Sequence, residues 1–182
     1  SHIPDIASLP SVFYIEQWFQ PSLVNADAQW VTQSGVSNSR PIWDHGLYGD
    51  GQIVGVCDTG VDYDHAAFRN ETGSNDPNPS HRKIINYKYY QADTGDQMGH
   101  GTHTAGTIAG NNTPFISDPN NGMGISAKLS IDDVSTNGFD WNAPADLNDM
   151  YIVDWNVGAR IHSNSWGWPS TNNYHTSSSQ TD

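Results

Sequence analysis

Apolar positions fall in a few short stretches, and their spacing predicts what each becomes. Gln52-Ile53-Val54-Gly55-Val56-Cys57-Asp58-Thr59-Gly60-Val61-Asp62 holds Ile53, Val54, Val56 and Cys57 as a near-continuous apolar run that ends on a carboxylate and a glycine turn. Such a run suits a central parallel strand covered on both faces. Residues 83–90 alternate enough to form a second strand. From His100 to Gly110 the residues become small and apolar at helical spacing, with Ala105, Ile108 and Ala109 on one face. Side chains of that size let a helix lie close to a sheet. Leu147, Met150, Tyr151, Asp154 and Trp155 recur at helical spacing, Gly158 is a stop signal, and residues 159–165 read as a further strand. Strands alternating with helices predict an α/β fold, a parallel β-sheet flanked by helices.

The stretches between are polar. Residues 1–24 contain a turn and a short strand-like run and read as an extended arm that docks on something. Residues 31–50 are turn-rich, with Trp43, Leu47 and Tyr48 as expected anchors. Residues 70–82 and 111–121 are punctuated by Gly, Pro, Asn and Asp as loops, and residues 137–144 form a loop holding Trp141. The Ser-, Thr- and Asn-rich tail, 168–182, lacks apolar periodicity and reads as a surface loop. A parallel sheet ending there would leave an uncovered edge, so the chain is expected to be cut from a longer protein.

Chemistry enters at the carboxyl end of the first strand, where ligands gather in open α/β sheets. Asp58 stands at that end, and a carboxylate there can fix an imidazole tautomer and stabilise the imidazolium. His100 falls at or just before the first turn of a helix, held firmly while its ring faces a cleft. Alone, either residue is ordinary. Together, Val56-Cys57-Asp58-Thr59-Gly60-Val61-Asp62 and His100-Gly101-Thr102-His103-Thr104-Ala105-Gly106 resemble the aspartate and histidine motifs of the subtilisin-like serine proteases, the subtilases. A third block, Gly158-Ala159-Arg160-Ile161-His162-Ser163-Asn164-Ser165-Trp166-Gly167, resembles the strand lining that family's substrate cleft. The resemblance covers roughly residues 45–170 and is nearest to larger bacterial subtilases with a β-rich C-terminal domain.

The resemblance implies a subtilisin-like domain, incomplete at its C-terminus, and a secreted serine endopeptidase acting on protein or peptide substrates. Asp58 would orient His100, and His100 would shuttle the proton of a serine. Ser165, Trp166 and Gly167 would pair with an extended substrate, and Asp96 would border the pocket beside the scissile bond. Residues 1–24 are similar to a propeptide tail and residues 25–182 to the front of the catalytic domain, with residues 25–30 similar to a mature N-terminus. Residues 122–131 resemble the turn into the next strand. The chain is read as lacking both the nucleophile motif Gly-Thr-Ser-x-Ala-x-Pro and the oxyanion motif Ala-Gly-Asn. The serine is therefore expected in a remaining C-terminal part of the same protease or in a partner chain. Without it, the alternative is an inactive subtilase-derived binding module.

Composition narrows the field further. Net charge −13 would repel nucleic acid and anionic membranes, and no run of about 18 apolar residues predicts a membrane span. The single cysteine, Cys57, excludes an internal disulfide and reads as a small core residue. Asp58-Thr59-Gly60 is also an aspartic-protease signature, but that reading leaves the His100 motif unexplained. His100 and His103 lack a third metal ligand at recognisable spacing, and His103 reads as a helix-packing residue. No metal ligand and no catalytic cofactor is assigned. Structural calcium is the one metal the resemblance allows, with Asp64, Asp76 and Asp93 as oxygen donors. Their spacing is not that of an EF-hand, Ala67 stands where the family often offers a carboxylate, and solvated loop residues account for them.

Overall fold

Among the described residues, four parallel strands in the order β2-β3-β1-β4 form one sheet. They are β1 (Ile53–Asp58), β2 (Ile84–Tyr89), β3 (Lys128–Asp133) and β4 (Ile161–Asn164), and the helices are α1 (Ile3–Ala7), α2 (Asn25–Gln33), α3 (Pro41–Asp44), α4 (His100–Ala109), α5 (Asn148–Asn156) and α6 (Thr176–Thr181). The computed structural model describes residues 3–12, 25–90, 95–112, 118–136, 140–167 and 176–181. The expected α/β sandwich is what forms, and β1, β2, α4, α5 and β4 lie where the apolar spacing put them.

Side-chain alternation along the strands divides the core. Val54 and Val56 of β1, Leu129 and Ile131 of β3 and Ile84 of β2 pack with Ala105 and Ala109 of α4. Cys57 points the other way and packs with Val134, Leu147 and Met150 beneath α5. Cys57 is wholly buried, and burial pushes its thiol far above the ordinary cysteine range, the inert core role expected of it. Opposite faces of β1 are thus covered by α4 and α5. On one side of β1 lies β3 and on the other β4, so the crossovers diverge at the carboxyl end of β1, the position where open α/β sheets build their sites.

The extremities differ from expectation. Residues 3–7 are helical rather than extended, and 176–181 form α6 within what reads as a loop; the strand-like run beyond Val12, Asp93 and residues 168–175 lie outside the described residues. Residues 25–30, similar to a mature N-terminus, open α2. Trp43 is an anchor as expected, buried with its indole N–H donating to the Met123 carbonyl at 3.0 Å, but Leu47 is exposed. His103 is likewise exposed on α4, because the side facing the sheet is the Ala105 side.

Candidate active site

β1 ends on Asp58 and α4 begins on His100, and the two side chains meet there: Asp58 Oδ1 lies 2.7 Å from His100 Nδ1. The pair is asymmetric. The Asp58 side chain is 3% exposed and that of His100 is 51% exposed, so the carboxylate is enclosed while the ring reaches solvent. Asp58 is held from two further directions. The Thr59 amide donates to Oδ1 at 2.8 Å, and the Thr104 hydroxyl, one helical turn beyond His100, lies 3.2 Å from Oδ2. A carboxylate engaged in this way takes the Nδ1–H of the imidazole and leaves Nε2 as the free base on the exposed side.

The start of α4 has an unusual cap. Gly99 adopts φ 79°, a left-handed conformation that favours glycine, and supplies no side-chain cap of its own. Asp96 caps instead: Oδ1 accepts from the amides of Gly99 at 2.8 Å and Met98 at 3.1 Å, and Oδ2 from that of Thr102 at 2.7 Å. Thr59 completes the link. Its hydroxyl donates to Asp96 Oδ1 at 3.0 Å and accepts from the Gly101 amide at 3.0 Å, tying the turn after β1 to the first turn of α4. Asp96 also lines a cavity of about 300 Å³ with Asp62, Tyr63, Asp64, Gly95 and Gln97.

The third expected group lies at the same end of the sheet. Parallel pairing sets Cys57 opposite Asn164, so Ser165, Trp166 and Gly167 leave β4 alongside Asp58. Among the described strands β4 is an edge. Ser165 and Gly167 are exposed, and nothing stands within 4 Å of a Cβ placed on Gly167. Trp166 packs its ring 4.6 Å from that of Trp141, against the Cys57 cluster.

One sequence reading needs correction. An Ala-Gly-Asn string is present, at 109–111, where it closes α4 rather than facing the site. The Asn111 amide donates to the Ile125 carbonyl at 3.1 Å, and a ten-residue helix holds it about 15 Å along the axis from His100. Asp76 serves a loop turn, its Oδ2 accepting from the Ser74 hydroxyl at 2.8 Å, whereas at Asp64 it is the backbone amide that is engaged, donating to Asp62 Oδ1 at 3.1 Å.

Comparison with known proteins agrees with this geometry. The profile described as the Subtilase family matches residues 49–182. The chain belongs to the subtilase family. It is 35% identical over 181 residues to the serine protease/ABC transporter B family protein tagA of Dictyostelium discoideum, covering 87% of this chain and 10% of that protein. It is 31% identical over 156 residues to subtilisin-like protease 1 of Trichophyton equinum, covering 78% of this chain and 26% of the relative. It is also 31% identical over 170 residues to the subtilisin-like serine protease Pen ch 13 of Penicillium rubens, covering 85% of this chain and 35% of the relative. The chain thus spans a tenth of the amoebal protein and about a third or less of the fungal ones.

On the opposite face of the sheet this subtilase gathers a group that sequence reasoning missed. Asp132 of β3, Asp154 of α5 and His162 of β4 bring one ligand atom each within 4.8 Å of one another, an arrangement able to hold a metal ion. Burial pushes the Asp132 carboxyl well above the usual range, with nearby Asp154 adding to the rise. Burial alone would lower the His162 imidazole, but its bonds to Asp132 and Asp154 outweigh this and raise it. The one signal in the sequence was a pair of carboxylates, Asp132-Asp133, directly after the apolar Leu129 and Ile131.

Proposed function

We infer that this chain is the N-terminal part of a secreted, subtilisin-like serine endopeptidase that hydrolyses peptide bonds of protein or peptide substrates. The observation that carries the reading is the 2.7 Å contact between buried Asp58 and half-exposed His100 at the carboxyl end of β1. In the reaction His100 Nε2 takes the proton of a serine hydroxyl as that oxygen attacks the scissile carbonyl, then gives it to the leaving amine. Asp58 keeps the ring in the correct tautomer and offsets its transient positive charge. Serine needs this base because its hydroxyl is a weak nucleophile near neutral pH. A substrate strand adds along Ser165–Gly167 by backbone pairing, with Trp166 beside its apolar side chains and Asp96 near the pocket next to the scissile bond. No cofactor takes part in the chemistry. Residues 1–24 act as the tail of a propeptide.

The nucleophile motif is not in this sequence, so the serine belongs to the remaining C-terminal part or to a partner chain. That same observation favours a second reading, an inactive subtilase-derived binding module. A fluorophosphonate probe followed by intact mass spectrometry under denaturing conditions separates them. A second, labelled polypeptide that loses its label in His100→Ala supports the protease. A single unlabelled species of 20.0 kDa overturns it for this chain.

A further inference from the structure

We propose that Asp132, Asp154 and His162 form a structural site for a divalent transition cation of the zinc type, on the side of the sheet opposite the Asp58–His100 pair. The site is built by strand register. β1 sets Gly55 opposite His162 on one side and Cys57 opposite Asp132 on the other, and Asp154 descends from α5 between them. His162 Nε2 lies 2.9 Å from Asp154 Oδ2 and 3.5 Å from Asp132 Oδ2. Donor atoms of a zinc site with bonds near 2.0–2.2 Å stand roughly 3–3.5 Å apart, so small shifts suffice to receive the ion.

Charge balance favours a dication. Asp132 is 0% exposed and Asp154 2% exposed, and among the described residues neither pairs with a lysine or arginine. With both carboxylates ionised, even a protonated imidazole leaves the enclosed group negative in an apolar layer, where an uncompensated charge is costly, and without a cation that cost pushes the Asp132 carboxyl up. A divalent cation bound by two carboxylates and one neutral imidazole is electrically neutral, and it takes the place of the proton His162 otherwise holds between them. A second observation points the same way. Among the described residues Asp132 Oδ1 and Asp154 Oδ1 are buried without a hydrogen-bond partner, so each carboxylate keeps an oxygen that no protein group uses.

The space is kept open by glycine. A Cβ on Gly55 would stand 2.2 Å from Asp154 Oδ2 and 2.4 Å from His162 Cδ2, so any other residue at this point of β1 would occupy the cradle. A cavity of about 160 Å³, lined by Tyr151, Trp155 and Arg160 among others, reaches Asp154 and His162 and offers an entry path and room for a water ligand. Calcium is disfavoured because it takes six to eight oxygen ligands, whereas zinc accepts mixed nitrogen and oxygen donors at low coordination. Bound there, the ion would staple β1, β3, β4 and α5 behind the strand that carries Asp58.

The test uses the intact protein, stripped with a chelator and titrated calorimetrically with Zn²⁺, with bound metal counted by elemental mass spectrometry. One zinc per chain and a raised unfolding midpoint are expected. In Asp154→Asn and His162→Gln, binding should weaken by more than the roughly 10–100-fold that loss of an outer-shell partner costs, while Asp62→Asn, in an exposed loop, should bind normally. Co²⁺ titration of the unaltered protein stands independently of whether the variants fold: visible bands of nitrogen- and oxygen-ligated cobalt, bleached by Zn²⁺, are expected. No stoichiometric Zn²⁺ or Co²⁺ binding, undiminished binding in a folded His162→Gln, or binding of Ca²⁺ that Zn²⁺ does not displace would each overturn the proposal.

Discussion

A Cβ placed on Gly101 would stand 2.0 Å from the carbonyl oxygen of Gly60 and 3.1 Å from the Asp58 Cβ. The first turn of α4 therefore rests directly on the turn after β1, backbone against backbone, and this contact sets how close His100 comes to Asp58. Gly101→Ala must push the helix away, because the obstructing atom belongs to the main chain and has no rotamer to yield. The expected result is a loss of stability of about 1–3 kcal/mol, the usual range for overpacking, read as a lower midpoint in urea unfolding. On the proposed protease function, the same substitution in the longer protein should lower kcat while leaving KM nearly unchanged, since the base moves and the β4 edge does not. Unaltered stability would show that the turn gives way at no cost.

Asp96 caps α4, and substitution can separate that role from the proposed one in substrate binding. As the cap of α4 it accepts the amides of Met98, Gly99 and Thr102, and removing a capping side chain typically costs about 1 kcal/mol. As a wall of the adjacent cavity it would attract basic substrate side chains. Asp96→Ala should lower the unfolding midpoint and kcat together, because His100 opens the helix that Asp96 caps. A rise in KM confined to peptides with a basic residue beside the scissile bond, at unchanged stability, would instead assign Asp96 to substrate binding alone.

The sequence made the centre of the fold legible and its edges opaque, for physical reasons. β1 and α4 are visible because Val54, Val56, Ala105 and Ala109 are apolar at the period of the element that buries them. Helix α2 is not, since its most buried side chain is polar: Gln29 is 0% exposed, its amide within 3.2 Å of the carbonyls of Asp118, Pro119 and Asn121. Those partners are remote in sequence and leave no periodic trace. Asp58 and His100 were found through motifs; Thr104 lies within the same histidine motif, but no local pattern says that its hydroxyl reaches Asp58. Asp132, Asp154 and His162 meet only through parallel register across β1, which no local pattern encodes.

Lys83 gives a pH signature apart from the active site. Its ammonium is buried against the carbonyls of Ile125 and Ala127, and burial first, then the nearby Arg82 and Lys128 charges, lower it from 10.5 to about 7. Between about pH 7 and 10 the unfolded chain keeps this proton while the folded chain releases it, so the unfolded state binds more protons and stability rises with pH. Below pH 7 both states are protonated and the contribution is flat. Urea midpoints measured from pH 7 to 10 should climb from this group and flatten in Lys83→Met. A slope identical in both proteins would mean that Lys83 stays charged when folded.

Asp58 and Thr104 act on one imidazole, but their loss should differ greatly in size. Asn at position 58 keeps the shape yet can present an N–H to His100 Nδ1, which favours the tautomer whose proton sits on Nε2 and removes the free base. In the template for this chemistry, converting the triad aspartate to asparagine lowers kcat about 10⁴-fold, and Asp58→Asn in the complete protease should fall in that range with KM little changed. Thr104→Val removes a neutral hydroxyl that lies 3.2 Å from Asp58 Oδ2 and 3.0 Å from the Gly101 carbonyl, so its single proton is shared between two acceptors. One such hydrogen bond contributes about 0.5–1.5 kcal/mol, so a loss of roughly tenfold or less is expected. Steady-state kinetics on one peptide substrate checks both. If Thr104→Val matched Asp58→Asn, the hydroxyl and not the carboxylate would be what holds His100 in place.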